Sequence, residues 1–152
     1  MARVVIIMGS VSDRDCMKNC EQYLEHFGID YEVKVLSAHR NPEEVADFAS
    51  NAEKNGVKVI IAAAGMAAHL GGVVAAHTIL PVLGVPMKGG VMDGLDALLS
   101  FVQMPAGVPV PTLAVGNAGA RNAAVTAAQI LALNDNNMKE KLLEFKKAGC
   151  KI

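Results

Sequence analysis

Residues 3–8 form an apolar, β-branched run that stops at Gly9-Ser-Val-Ser-Asp13, and residues 13–27 then place Cys16, Met17, Cys20, Leu24 and Phe27 at helical spacing before Gly28. That pattern predicts a strand, a polar turn and a helix with a glycine stop. Residues 31–36 alternate as a second strand, after which Asn41 offers an N-cap, Pro42 an N1 residue and Glu43 and Glu44 a first-turn pair, predicting a helix to about residue 55. Residues 57–63 are apolar at nearly every position, as in a strand covered on both faces. They break at Gly65, and residues 66–72 open the next helix. Strands four and five are expected at 81–85 and 112–115, and further helices at 95–101, 119–131 and 136–147.

Five strands alternating with helices predict an α/β fold, a three-layer doubly wound parallel five-stranded sheet in the flavodoxin-like order 2-1-3-4-5. Short right-handed crossovers favour that order, and ligands of such sheets lie beyond the carboxyl ends of the strands. Residues 1–152 are read as a single catalytic domain with a C-terminal helix from about 136; no linker or repeat interrupts them.

The formal net charge is −1, and the basic residues are scattered apart from Lys146 and Lys147. A nucleic-acid partner is therefore not expected. No stretch approaches the roughly 20 apolar residues needed to span a bilayer, and residues 1–8 are too short for a secretion signal, so a cytoplasmic protein without a membrane partner is expected. Hydrophobic residues make up 52% and aromatics only 4% of the chain. Such an apolar excess with few charges predicts burial between subunits of a homo-oligomer, with the Ala-rich helix 119–131 as the candidate contact. Three cysteines (Cys16, Cys20 and Cys150) are an odd count and read as idle thiols, neither a disulfide framework nor a metal site.

Three polar clusters follow strands one, two and three, and so fall at one edge of the sheet. In the first, the small residues of the turn let backbone amides approach an anion, and Ser10 and Ser12 add hydroxyls. Asp13 would repel phosphate but can accept from ribose hydroxyls; an ordinary Ser/Asp helix cap is the plainer alternative. In the second, Ser37-Ala38-His39-Arg40, the arginine can grip a phosphate through its planar fork, and His39 is the side-chain type suited to proton exchange near neutrality. In the third, Gly65 to Leu70, His69 lies near a helix start, where it could donate to a carboxylate or simply pack in the core. His26 and His77 are read as structural.

Several common sites lack a required part. There is no Gly-x-Gly-x-x-Gly after strand one and no acid at the end of strand two, which disfavours dinucleotide binding. Neither a Gly-x-x-x-x-Gly-Lys-Ser/Thr loop nor Gly-x-Ser-x-Gly occurs, and a phospho-receiver would need acids where Met8 and Gly9 stand.

With Gly9-Ser-x-Ser-Asp13, Ser37-Ala-His-Arg40, Ala67-Ala-His-Leu70, Leu80-Pro-Val-x-Gly-Val-Pro86, Val102-Gln-Met-Pro105 and Asn122-Ala-Ala124 in this order, the chain resembles the N5-carboxyaminoimidazole ribonucleotide mutase family of purine biosynthesis over roughly residues 3–133. The resemblance implies a flavodoxin-like sheet, a homo-octamer, no metal or organic cofactor, and a small-molecule ribonucleotide substrate. It implies that Ser10, Asp13 and Arg40 bind the ribose phosphate with Ser12 and Ser37 in support. His39 would be the proton shuttle, and His69 with the amides of residues 67–70 would hold the migrating carboxylate. Ala38, Gly65, Ala68 and Leu70 complete the implied substrate-binding set.

A second branch of the family carboxylates aminoimidazole ribonucleotide directly and typically lacks the Ala-Ala-His-Leu stretch, which is present here. The chain also departs from the family pattern. Ala63 and Met66 stand for glycines, Gly71 for a proline, and Met87 to Asp93 for a loop usually bearing Ser or Thr. Glycine at such a turn signals left-handed backbone or close ligand approach, so Met66 is expected to add bulk where the ring or carboxylate should lie. The alternatives to a mutase are accordingly the carboxylase of the second branch, or a paralogue that binds a related phosphorylated ligand without turnover.

Overall fold

The computed structural model describes residues 3–152. Strands β1 (Val4–Met8), β2 (Tyr31–Val35), β3 (Val59–Ala64) and β4 (Val82–Pro86) form a parallel sheet in the order β2-β1-β3-β4. Val4 lies opposite Tyr31 and Val59, and Ile61 lies opposite Leu83. The helices are α1 (Arg14–Phe27), α2 (Pro42–Asn51), α3 (Leu70–His77), α4 (Leu95–Val102), α5 (Asn117–Ala132) and α6 (Asn136–Lys147).

The continuous apolar runs are explained by the two faces they cover. Every residue of β1, β3 and β4 is buried. Val4, Ile6, Met8, Ile61 and Val85 meet residues of α1, α5 and α6 on one face, while Val5, Ile7, Ile60, Ala62 and Val82 meet α2, α3 and α4 on the other. Successive side chains on a strand point to opposite faces, so only a strand sandwiched between two helical layers needs apolar residues at every position. The alternating strand β2 stands at the sheet edge, where it is only partly covered.

The expected fifth strand is not formed: the sheet has four strands, and the segment predicted at 112–115 contributes a single parallel bridge, Gly84 to Thr112. Gly84 N donates to Pro111 O at 2.8 Å and Leu113 N donates to Gly84 O at 2.8 Å. The next rung would need a donor at Pro86, which has none. Pro86 O is instead reached by Gly116 N at 2.8 Å, one residue out of step. The segment thus occupies the fifth position in space without continuing the ladder.

Other boundaries shift for local reasons. A 3-10 turn (Val11–Asp13) precedes α1, and α1 ends where Gly28 takes a left-handed φ of 67° and donates to Leu24 and Glu25 carbonyls. Helix α2 stops at Asn51, before the expected residue 55.

The Ala-rich helix predicted as a subunit contact uses its small face within the chain. Ala120, Ala123, Ala124, Ala127 and Ala128 are all fully buried in a core shared with Met17, Cys20 and Leu24 of α1. Arg121 Nε and Nη2, on the outer side of α5, donate to Asn19 Oδ1 of α1 at 3.1 and 2.8 Å. On the opposite face Phe101 fills space left by two glycines: a β-carbon on Gly71 would fall 2.5 Å from its Cε1, and one on Gly84 2.6 Å from its Cδ1. Gly71, where the family pattern has proline, is therefore a packing residue.

Candidate functional site

Three loops leave the sheet side by side because the ladder holds to the strand ends. Leu36 N donates to Met8 O at 2.9 Å and Gly9 N to Ala63 O at 3.0 Å. In the first loop Ser10 is extended, and its Oγ accepts from Ser12 N at 3.2 Å and from the Ser12 hydroxyl at 2.9 Å. Ser10 itself is exposed. Asp13 is half-buried; desolvation raises its pKa above the usual carboxylate value, with a backbone hydrogen bond at Ser10 opposing.

In the second loop the Ser37 hydroxyl oxygen accepts from His39 N and Arg40 N, both at 3.3 Å. Asn41 does not cap α2 with its side chain; its Oδ1 accepts from Ser37 N at 3.4 Å. Ser37 and Asn41 thus hold the backbone that presents His39 and Arg40 to solvent. Arg40 has no carboxylate within ion-pair distance among the described residues.

In the third loop Met66 adopts a left-handed φ of 53°, at a position the resemblance gives as glycine. The backbone requirement is therefore retained while the residue has changed. Its side chain, expected to crowd the site, is 66% exposed. Ala68 N donates to Met66 O and His69 N to Ala67 O, each at 2.9 Å, folding the loop tightly ahead of α3, of which His69 is the N-cap residue. Ala68 and Leu70 side chains are buried in the core beneath, so they anchor the loop and only their backbone can face a ligand. Gly65 is half-buried against Met87.

These loops bring the two candidate histidines into contact. His39 Nε2 lies 2.6 Å from His69 Nδ1, with the rings perpendicular at 89° and their centroids 4.8 Å apart. At that distance one nitrogen donates and the other accepts, so the pair carries no more than one positive charge while the contact holds. A separation of thirty residues concealed this contact in the sequence. Ser100 of α4 also escaped notice: its hydroxyl donates to Asp96 O at 2.7 Å and lies 3.5 Å from Met66 O, tying α4 to the third loop. A serine on a helix that is apolar everywhere else after Asp96 was the available signal.

His26 packs edge-on against Phe27, with centroids 5.2 Å apart, and His77 closes α3; neither belongs to this group. The three thiols are free: Cys20 buried, Cys16 half-buried and Cys150 exposed. Among the described residues no three His, Cys, Asp or Glu side chains are grouped to hold a metal ion. A groove of about 920 Å³ between β2 and α2, lined by Glu32, Glu43, Asp47 and Phe48, contains none of the candidate residues. The candidate residues Ser10, Ser12, His39, Arg40 and His69 lie instead on the open loop surface.

The model of the AIR carboxylase family matches residues 3–151. The chain belongs to that family. It is 54% identical over 144 residues, 95% of its length and 89% of the relative's, to the N5-carboxyaminoimidazole ribonucleotide mutase of Vibrio parahaemolyticus. The enzyme of that name from Escherichia coli K12 is 51% identical over 147 residues, 97% and 87% of the two chains. The crystal structure of Treponema denticola PurE matches with a TM-score of 0.87 at 27% identity, covering 97% of this chain and 90% of that one. Within this AIR carboxylase fold, no helix among the described residues is long and apolar enough to cross a membrane.

Proposed function

We propose that this chain is an N5-carboxyaminoimidazole ribonucleotide mutase of the cytoplasm, moving a carboxylate from the exocyclic nitrogen to ring carbon 4. The observation that carries the reading is the 2.6 Å contact between His39 and His69 at the edge where the Ser10 and Arg40 loops also emerge. Relatives bearing the mutase name at 54% and 51% identity support it.

In this mechanism Ser10, Ser12 and Arg40 hold the ribose phosphate, and Asp13 accepts from ribose hydroxyls. Ser37 and Ala38 shape the loop against the substrate, while Gly65, Ala68 and Leu70 present backbone to it. His39, as imidazolium, donates its proton to the exocyclic nitrogen as the N–C bond breaks and carbon dioxide leaves. Ring carbon 4 then attacks the retained carbon dioxide, and neutral His39 removes the ring proton, returning the enzyme to its starting state. A shuttle of this type contributes roughly 100- to 10,000-fold in rate. His69 holds the carboxylate or the freed gas, and its partnership with His39 orients both rings before substrate arrives. Trapping a small neutral molecule beside an electron-rich carbon demands fixed donors and exclusion of water.

A homo-octamer is part of the proposal. Leu95, Leu99 and Val102 are 37%, 46% and 49% exposed at successive helical positions of α4, beside exposed Val91 and Met92. An apolar stripe of this kind calls for a covering subunit. Sedimentation showing a monomer at micromolar concentration would contradict it.

The activity is tested without ATP, using N5-carboxyaminoimidazole ribonucleotide free of bicarbonate and, separately, aminoimidazole ribonucleotide with abundant bicarbonate. Rapid 4-carboxylated product from the first is the expected result. Product from the second alone would make the protein a carboxylase, and none from either would make it a ligand-binding paralogue.

A further inference from the structure

The loop after β4 departs from the polar pattern that the resemblance implies, and its second residue is a lysine. Met87 is buried in the core shared with α1 and α5, and its N donates to Ala64 O at 2.9 Å, so Lys88 leaves the core at the same sheet edge as the histidines. The lysine stem does not extend freely into solvent. It lies along Gly116, the N-cap residue of α5: a β-carbon there would fall 3.2 Å from Lys88 Cε and 3.3 Å from Cγ. Gly116 has φ of 77° and is tied to Pro86 O, so its missing side chain serves both the left-handed turn and the passage of the lysine.

The Lys88 charge is also felt at the start of α1. Burial is the main cause of the raised pKa of Cys16 in the first turn of that helix; beyond it, the charge of Asp13 raises the thiol further and that of Lys88 lowers it. The loops of Asp13 and Lys88 both leave the sheet beside the end of β3, where Gly9 N donates to Ala63 O at 3.0 Å and Met87 N to Ala64 O at 2.9 Å, and Asp13 is itself one turn from Ser10, whose carbonyl accepts from Asp13 N at 3.2 Å. Lys88, like Arg40, has no carboxylate within ion-pair distance among the described residues. Two cations without a carboxylate partner, Arg40 after β2 and Lys88 after β4, thus leave the sheet on either side of the loop after β1 that exposes Ser10 and Ser12.

We propose that Lys88 is a further substrate-binding residue, whose ammonium meets the 5′-phosphate of the ribonucleotide together with Arg40, Ser10 and Ser12. The assignment rests on the ribonucleotide reading of this site. A phosphate monoester carries a charge of about −1.5 to −2 near neutrality, which one arginine does not neutralise. A planar fork from one side and a compact ammonium from the other match it in charge and geometry. Lys88 then offsets the repulsion between phosphate and Asp13, leaving that carboxylate to accept from the ribose.

The test compares binding of aminoimidazole ribonucleotide and of its 5′-dephosphorylated riboside to wild-type, Lys88→Met and Lys88→Arg proteins by calorimetry. Methionine keeps an apolar stem over Gly116, and Lys88→Gln provides a second neutral variant with the same expected pattern. Wild type should prefer the nucleotide. Lys88→Met should weaken nucleotide binding roughly 10- to 100-fold, the worth of a charged hydrogen bond, and leave riboside binding unchanged, while Lys88→Arg recovers most of the loss. Equal weakening toward both ligands, or an undiminished preference for the nucleotide in Lys88→Met, would overturn the assignment alone. A wild-type protein that does not distinguish nucleotide from riboside would overturn the ribonucleotide reading, and the assignment with it.

Discussion

The loops after β3 and β4 share an unusual backbone and are held in opposite ways. Each contains a left-handed methionine, Met66 with φ of 53° and Met92 with φ of 49°, and both side chains are exposed. The loop after β4 is laced by carboxylates: Asp93 Oδ1 accepts from Gly89 N at 3.0 Å, and Asp96 Oδ2 from Val91 N at 3.1 Å. The loop after β3 is held by its own backbone and by Ser100, with no carboxylate involved. The difference follows from what each loop carries. On the proposed function a carboxylate beside His69 would compete with the anionic substrate and with His39, whereas the β4 loop can be stitched by acids while Lys88 runs along Gly116. Similar strain is thus stabilised by chemistry compatible with the neighbouring site.

The largest effect expected is on the catalytic side of this comparison. His39→Asn should reduce turnover by roughly 100- to 10,000-fold while ligand binding and assembly persist, measured by the ATP-free assay alongside calorimetry and sedimentation. Asp96→Ala unlaces the other loop and should cost far less turnover; an equal loss would erase the contrast.

Phe101 packs between α3 and β4, the elements next to these loops, touching the places where Gly71 and Gly84 lack a side chain. Phe101→Ala should lower unfolding free energy by about 3–5 kcal/mol in denaturant titration, and Gly71→Ala by about 1–3 kcal/mol through overpacking. A neutral Gly71→Ala would mean that the ring can move aside.

Smaller effects are expected at the methionines. Met66→Gly and Met92→Gly each relieve a left-handed non-glycine residue and should raise stability by up to about 1 kcal/mol. Met66→Gly should change the kinetic constants more than Met92→Gly, because its loop carries His69, proposed to hold the carboxylate, whereas the other loop carries only the proposed phosphate contact of Lys88. Kinetic changes of equal size in both variants would place the two loops equally close to the substrate.

The smallest and most pH-specific effect concerns Asp13. Its raised pKa means that the folded state holds the proton more tightly than the unfolded chain. The resulting stability is present at acid pH and is lost as pH rises from the ordinary carboxylate value through the raised one. Asp13→Asn should therefore raise the melting temperature at neutral pH, with the gain disappearing in acid, while weakening substrate binding. A gain independent of pH would exclude ionisation as its cause.

Much of this architecture was legible from one sequence. Pattern located β1 to β4, and Gly28 and Asn136–Lys147 lay where glycine stops and amphipathic spacing put them. The fifth strand failed because the pattern registers side chains, while a ladder needs backbone donors that Pro86 lacks. The small face of α5 was recognised, but small residues state only that something approaches closely; here it is α1. Among the site residues, position after a strand placed Ser10, Asp13, His39, Arg40 and His69 at one edge, since parallel strands share a direction. Nothing local in the sequence could pair His39 with His69, or lead Lys88 past Gly116.

The amino-acid sequence by itself determined the alternation of strands and helices, the family and the edge at which chemistry would gather, because these depend on local periodicity, turn residues and short motifs. The tertiary structure alone decided the 2.6 Å histidine contact, the seating of Phe101 in two glycine gaps and the course of Lys88 along Gly116 at the start of α5. Each of these joins residues distant in the chain, and their distances are set by how the two helical layers pack on the sheet.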